Sequence, residues 1–391
     1  MNIIDGKSYE EAIEYINSLS QFVAGTGCER AEKLLKRLGN PQDKLKVIHV
    51  AGSNGKGSVC AYLAGILQEN GYKTGLFTSP HLIDERERIR INGMMITKEE
   101  FAEAYARVKA VEDELGKGSL AYFDYFLGIA FIVFLKQNVD ICVIETGLGG
   151  RLDATNAVKN PVLDIIATIS LEHTAILGDT IEKIAEEKSG IIKNNVPVVF
   201  IKDKKSVTDI IEKNAEDNNC EAYGVTQKDF QIIKNYGYCI DFSLNNMYYK
   251  NDCFTITTGA VYQVQNCSLA LTAAEVLKKT GVVKLESNAV HKAVKKVQWH
   301  GRMEQIADNI YVDGAHNPEG IEALICSVSP ITCGRKTILL FSVVNDKDYD
   351  RMIKSICDSN MFDYFVIAGI QGKRCLDDSC ISDTFKKYTD K

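Results

Sequence analysis

Residues 47–58 read Val-Ile-His-Val-Ala-Gly-Ser-Asn-Gly-Lys-Gly-Ser, and this stretch decides the fold. Val47–Val50 is a short apolar run rich in β-branched side chains, the pattern of a buried strand. Gly52, Gly55 and Gly57 let the backbone turn tightly and come close to a ligand. Ser58–Asn70 follows as a helix, with Val59, Leu63, Ile66 and Leu67 on one side and Gly71 as its stop signal. A strand, a glycine loop and a helix in this order aim backbone N–H groups and a helix dipole at an anion. Ser53, Asn54, Gly55, Lys56, Gly57 and Ser58 are therefore candidate phosphate-binding residues. Lys56 supplies a point charge, and Ser58 a hydroxyl for phosphate or Mg²⁺. The spacing departs from the usual P-loop: only Ser53 and Asn54 separate Gly52 from Gly55, and Gly57 intervenes before Ser58. An ordinary glycine-rich turn between strand and helix is the alternative.

Composition narrows the class. A chain of 391 residues has room for two domains or three, and its 45% apolar and 25% charged content is that of a soluble globular protein. A net charge of −6 without a basic stripe excludes nucleic acid as a favoured partner. The twelve cysteines are scattered with no C-x-x-C pair, the closest being Cys375 and Cys380. Together with the polar N-terminus, which lacks a signal peptide, they point to free thiols in a reducing cytoplasm. The longest apolar run, Phe126–Leu135, is too short to span a bilayer, so no membrane is expected.

Helical spacing marks Ser8–Ser18 and Glu29–Leu38, and Thr97 with Glu100 forms a capping box for a helix to about Leu115. Tyr122–Leu135 is apolar all round and so a buried helix. Thr74–Thr78, Val139–Ile144, Leu163–Ile169 and Val196–Ile201 read as further strands, with Asp84–Arg90 a charged stretch and Thr180–Lys188 a helix. Strands separated by helices imply βαβ units, a parallel sheet, and functional loops at the carboxyl ends of strands. Gly52–Ser58, Ser79, Glu145–Asp153 and His173 all fall at such ends. Phe230–Ile233, Tyr238–Phe242, Met247–Tyr249 and Cys253–Ile256 are expected as hairpins at the sheet edge, followed by a helix Gln263–Lys278. The apolar periodicity lapses at Trp299–Arg302, which sets the expected domains at 1–299 and 300–391. The second has strands at Asn309–Asp313, Thr337–Val343 and Phe365–Ala368 and a last helix at Ser382–Tyr388. The fold class is thus α/β, a P-loop central domain with a mainly parallel sheet plus a smaller C-terminal α/β domain.

Five motifs occur in register: Ala51–Ser58, Thr78–Leu82, Glu145–Asn156, Glu172-His173 through Glu187–Gly190, and Asp313–Pro318. Together they resemble the folylpolyglutamate synthase / dihydrofolate synthase family of the Mur ligase superfamily, from about Ser8 to about Asp378. The resemblance implies an ATP-dependent ligase that turns a substrate carboxylate into an acyl phosphate, which the amine of L-glutamate attacks. It implies ATP and Mg²⁺, two ions, with Mn²⁺ as an alternative. The expected partners are small molecules, folate or dihydropteroate and L-glutamate, and a monomer is expected. The other readings are a Mur-type ligase for a different acid and a nucleotide-binding homologue without ligase activity.

The resemblance also assigns residues. Ser79 and Glu145 would hold one metal ion and His173 a second. Lys188 would carry a carbamate, although its position alone reads as a helix-end cation. Asn266, Arg302 and Asp313 match nucleotide contacts, Arg302 reaching ATP phosphates on domain closure. His316 matches a residue near the acyl phosphate; a polar turn residue before Pro318 is the alternative. Ala121, Tyr122, Phe123 and Asp124, with Leu152, Asp153 and Ala154, match pterin-binding segments. Phe123 would stack on the ring or else be plain core. Asp153 would take the incoming amine's proton or else cap the following turn. Asp124 stands where the family has Glu, and Thr146 where it has an apolar residue. The family continues past Lys391 with a strand, a helix and a Gly-Ser-rich strand, so the C-terminal domain is expected to be shortened.

Overall fold

The computed structural model describes residues 8–20, 25–332, 334–370, 372 and 374–391. Eight strands build the main sheet: β1 Val47–Ala51, β2 Thr74–Phe77, β3 Ile89–Ile91, β4 Met94–Met95, β5 Ile141–Glu145, β6 Leu163–Ile166, β7 Val198–Ile201 and β8 Ala222–Val225. Their order is β4-β3-β2-β5-β1-β6-β7-β8. The six from β2 to β8 run parallel, and β3 and β4 add an antiparallel edge. Every residue of β1 and β5 is buried, as a strand covered on both faces requires. The chain leaves β1 towards β2 on one side and reaches β6 on the other. The loop after β1 therefore opens at a topological switch point, the place where α/β sheets bind ligands.

The covering helices are α1 Tyr9–Ser18, α2 Gly27–Arg37, α3 Lys56–Glu69, α4 Lys98–Leu115, α5 Tyr122–Lys136, α6 Thr174–Leu177, α7 Ile181–Ser189 and α8 Lys205–Asp217. Ile16, Leu34, Phe101, Val108 and Phe131 join Val47 and Ile144 in one core. Ile184, Val207 and Ile211 join Ile166 and Phe200 in another. Helix α5 has no polar stripe and buries every residue from Asp124 to Phe134. The capping box at α4 forms as expected: Thr97 N–H donates to Glu100 (2.9 Å) and Glu100 N–H to the Thr97 hydroxyl (3.1 Å).

Strands β9 Phe230–Asn235, β10 Ile240–Leu244 and β11 Asp252–Ile256 make a separate sheet, and α9 Tyr262–Lys279 and α10 Ser287–Lys296 follow. The chain divides into two compact units: Met1–Gln231, Leu244–Phe254 and Asn266–Val297 in the first, the remainder in the second. The second unit holds the antiparallel pair β12 Glu304–Ala307 and β13 Ile310–Val312, and the parallel pair β14 Ile338–Phe341 and β15 Tyr364–Ile367. Helices α11 Pro318–Thr332, α12 Tyr349–Asp358 and α13 Asp378–Lys386 complete it. Met303, Ile321, Phe341, Ile353, Ile356 and Phe385 form its core.

Three expectations are corrected and one unassigned turn is added. The strands after Asp229 do not extend the main sheet but pair among themselves. Met247–Tyr249 is not a strand, because the Asn246 side chain accepts from the N–H groups of Tyr248 and Tyr249 in place of a ladder partner. Strand β6 stops at Ile166: the Thr168 carbonyl turns to accept from Ser53 N–H (2.8 Å) and Asn54 N–H (3.2 Å). The charged stretch Asp84–Arg90 runs into a hairpin, since Asn92 and Gly93 both take positive φ and turn β3 into β4.

Candidate active site

The glycine loop is built by close approach. Gly52 has φ +148° and Gly55 φ +87°, and a Cβ there would stand 2.8 Å from Ala167 Cβ and 2.3 Å from Asn266 Oδ1. Ser53 and Asn54 tie the loop to the segment beyond β6. The Ser53 hydroxyl donates to Ser170 O (3.0 Å), and Asn54 Nδ2 donates to Ser170 Oγ (3.2 Å). Gly55 is the residue before α3, so Lys56, Gly57 and Ser58 are its first turn, with N–H groups that no preceding carbonyl of the helix can take. Lys56 Nζ folds over the loop and donates to Gly52 O (2.8 Å) and Ser53 O (3.0 Å).

A second lysine reaches the same carbonyl. Lys188, at the end of α7 and 1% exposed, donates from Nζ to Gly52 O (2.8 Å) and to Glu172 Oε1 (2.8 Å). Burial pulls its ammonium down to about 8, against the attraction of Glu172. Burial opposes the Glu172 carboxylate too, but Lys188 and Lys56 hold it down at about 2. Neighbouring His173 takes φ +47° and opens the short helix α6.

At the carboxyl ends of β2 and β5, Ser79 N–H donates to Glu145 Oε2 (2.9 Å), and Glu145 is buried. The ring of Phe123 stands edge-on to Phe77 and is only partly buried, unlike Tyr125 and Phe126. Tyr122 lies under the Arg88 guanidinium, whose Nε donates to His81 Nδ1 (2.9 Å). Asp124 turns inward: Ala121 N–H (2.8 Å) and Arg30 Nε (2.7 Å) both donate to its Oδ2. Leu152 is 43% exposed, while Ala121 and Ala154 are buried.

Asp153 caps the turn Ala154–Ala157. Its Oδ1 accepts from Thr155 N–H (3.0 Å) and the Thr155 hydroxyl (2.6 Å), and its Oδ2 accepts from Leu148 N–H (2.8 Å). In the second unit Asp313 accepts from Met303 N–H, Ala315 N–H (2.8 Å each) and the Tyr262 hydroxyl (2.5 Å). Arg302 Nη1 donates to Gly301 O (3.0 Å), and His316 Nδ1 to Gly314 O (2.8 Å).

The structure thus brings Ser53–Ser58, Asn266 and Lys188 together, pairs Ser79 with Glu145, and gathers Phe123 and Asp153 around Gly147. Sequence reasoning missed Thr168, Ser170, Glu172 as a lysine partner, and the His49–Thr155 contact. Glu172 was legible inside its own motif; the others are tertiary contacts with no local signal.

A glycine loop and a helix start at the switch point of a parallel sheet, with buried carboxylates at neighbouring strand ends, form the arrangement of an enzyme site for a nucleotide's phosphates. The Mur ligase middle-domain family model matches residues 50–274, and the Mur ligase glutamate ligase domain matches 301–389. A dihydrofolate synthase/folylpolyglutamate synthase of Bacillus subtilis is 36% identical over 360 residues, covering 89% of this chain and 83% of that protein. A folylpolyglutamate synthase (FPGS) of Thermotoga maritima superposes with a TM-score of 0.84 at 32% identity, over 97% of this chain and 88% of that one. An FPGS–AMPPCP–folate complex gives 0.88 at 29% identity, over 97% and 94%. The chain belongs to the folylpolyglutamate synthase / dihydrofolate synthase family, and it is an ATP-dependent ligase.

Proposed function

We propose that this chain adds L-glutamate to the carboxylate of tetrahydrofolate and of dihydropteroate. The observation that carries this reading is the match, along nine-tenths of the chain, to a relative named for both activities. In the first step a substrate carboxylate oxygen attacks the γ-phosphorus of ATP and ADP leaves. In the second the glutamate amine attacks the acyl carbon and phosphate leaves. Phosphoryl transfer is mainly positioning and charge stabilisation. The loop N–H groups, Lys56 and the start of α3 hold the phosphates. Asn266, Arg302 and Asp313 are proposed nucleotide contacts, and His316 a contact of the acyl phosphate. Phe123, with Ala121, Tyr122, Asp124, Leu152 and Ala154, would receive the pterin. Asp153 would take the amine's proton.

Ser79, Glu145 and His173 would hold Mg²⁺, which neutralises phosphate charge. Among the described residues no three His, Cys, Asp or Glu side chains converge as a metal cage. Mg²⁺ takes much of its shell from water and phosphate, so a buried carboxylate beside a serine fits it. We propose a carbamate on Lys188, formed from its neutral amine and CO₂ with loss of a proton; burial, which pulls that ammonium down to about 8, makes the neutral amine more available than in an exposed lysine. Next to Glu172 a carbamate would need a compensating cation. No helix of the described residues is long and apolar enough to cross a membrane. The eleven described cysteines are free thiols, which supports a cytoplasmic setting; we propose a monomer.

ADP release and product mass test this together, with dihydropteroate and tetrahydrofolate offered separately beside ATP, Mg²⁺ and glutamate. Glutamylated product from each acid is expected. ADP release indifferent to both acid and glutamate would overturn the ligase assignment.

A further inference from the structure

We infer that His49, neutral and fixed as its Nε2–H tautomer, is a positioning residue that holds Asp153 through the Thr155 hydroxyl. The inference rests on the proposed role of Asp153. His49 lies on β1, three residues before the glycine loop, and is completely buried. Its Nε2 is 2.8 Å from Thr155 Oγ1, and that oxygen is 2.6 Å from Asp153 Oδ1.

A threonine hydroxyl has one proton to give. Asp153 already accepts two backbone N–H groups, from Thr155 and Leu148, so its oxygens are acceptors in this arrangement. The hydroxyl proton goes to Oδ1, and the proton of the remaining bond must come from His49 Nε2. In the other tautomer the hydroxyl would turn to Nε2 and Asp153 would lose a donor. Nδ1 would then carry a buried proton with no hydrogen-bond partner. A buried N–H without a partner is rarer in folded proteins than an unfilled acceptor. Chain geometry and hydrogen-bond bookkeeping therefore select one tautomer.

Burial disfavours an imidazolium at His49, and Lys193 adds to it. The carboxyl of Asp164, in register with His49 on β6, is itself pushed well up by burial, and its Oδ2 accepts from Lys193 N–H (3.1 Å). Burial pushes the Asp153 carboxyl up, while the Thr155 hydroxyl and the N–H groups of Leu148, Thr155 and Gly147 favour its ionised, accepting form; Asp124 of α5 and Lys188 of α7 are charged groups that interact with it. Strand β1 thus serves the reaction twice: its end forms the phosphate loop, and its middle orients the group proposed to handle the incoming amine.

Long-range ¹H–¹⁵N correlation spectra distinguish the imidazole tautomers. The His49 signal, assigned among the six histidines by its loss in His49→Gln, is expected as Nε2–H throughout pH 5–8. A Nδ1–H or an imidazolium pattern would overturn the inference. In kinetics, His49→Leu is expected to lower kcat about tenfold or more while leaving KM for ATP within about twofold, because the group lost positions rather than binds. Glutamine places an amide N–H near the former Nε2 and should restore most of that loss. Equal turnover in the leucine and glutamine variants would also overturn the inference. Asp153→Asn separates the two readings: full activity there would refute the role of Asp153 while leaving the tautomer result standing. Should His49→Leu fail to fold, the spectrum of the unaltered protein still decides.

Discussion

Replacing His49 by glutamine has a consequence for acid stability that the structure sizes. Burial, aided by Lys193, holds this imidazole down to about 3, against about 6.5 in an unfolded chain. The folded state refuses a proton that the unfolded state accepts throughout that window. Stability from this group is fully present above pH 6.5 and is lost as pH falls towards 3. The slope approaches one proton, about 1.4 kcal/mol per pH unit, so by pH 4 the loss is roughly 3 kcal/mol. Glutamine does not titrate. Urea unfolding of both proteins at half-unit steps from pH 7 to pH 4 measures the difference. Whatever the substitution costs at pH 7, the gap between the two proteins should move in the variant's favour by about 3 kcal/mol at pH 4. Parallel stability curves would refute the claim that this histidine is held neutral by its surroundings.

Gly55→Ala would press a methyl carbon to 2.3 Å from Asn266 Oδ1 at φ +87°. It should weaken ATP binding tenfold or more, by about 1.4 kcal/mol, without unfolding the protein, as titration calorimetry with a non-hydrolysable analogue would report. Arg30→Ala strips the partner from Asp124, whose side chain is fully buried. A cost of about 3–5 kcal/mol is expected in thermal or urea unfolding, shrinking at low pH because burial already raises the Asp124 carboxyl. Lys188→Ala should abolish turnover and regain part of it with added acetate or bicarbonate; undiminished turnover without them would exclude the carbamate.

Much of the site was legible because its chemistry is local. Glycine spacing marked the loop between β1 and α3, and the ends of apolar runs put Ser79 and Glu145 at neighbouring strand ends; His173 lies beyond the shortened β6. The capping box at Thr97 and the stripe-free helix at Tyr122 were equally local, and both formed where expected. What escaped notice was of two kinds. Some local signals were passed over: Asn92-Gly93 is a hairpin turn, and Val207, Ile211 and Ala215 repeat every four residues along α8. Other features have no local signal at all. His49 reads as one more member of a buried strand, and its partner Thr155 lies more than a hundred residues away. The partner of Asp124, Arg30, likewise comes from another helix, 94 residues away in sequence. The end of β6 depended on the Thr168 carbonyl turning to the glycine loop.

Oxygen transfer tests the central claim most directly. If Lys56 and the glycine loop deliver the γ-phosphoryl group to a substrate carboxylate, that carboxylate surrenders one oxygen to phosphate when the glutamate amine displaces it. Folate substrate labelled with ¹⁸O in the reacting carboxyl group, turned over with unlabelled ATP and glutamate, should release phosphate carrying one ¹⁸O, detected by mass spectrometry. Unlabelled phosphate accompanying glutamylated product would contradict an acyl phosphate, and with it the chemistry assigned to this site.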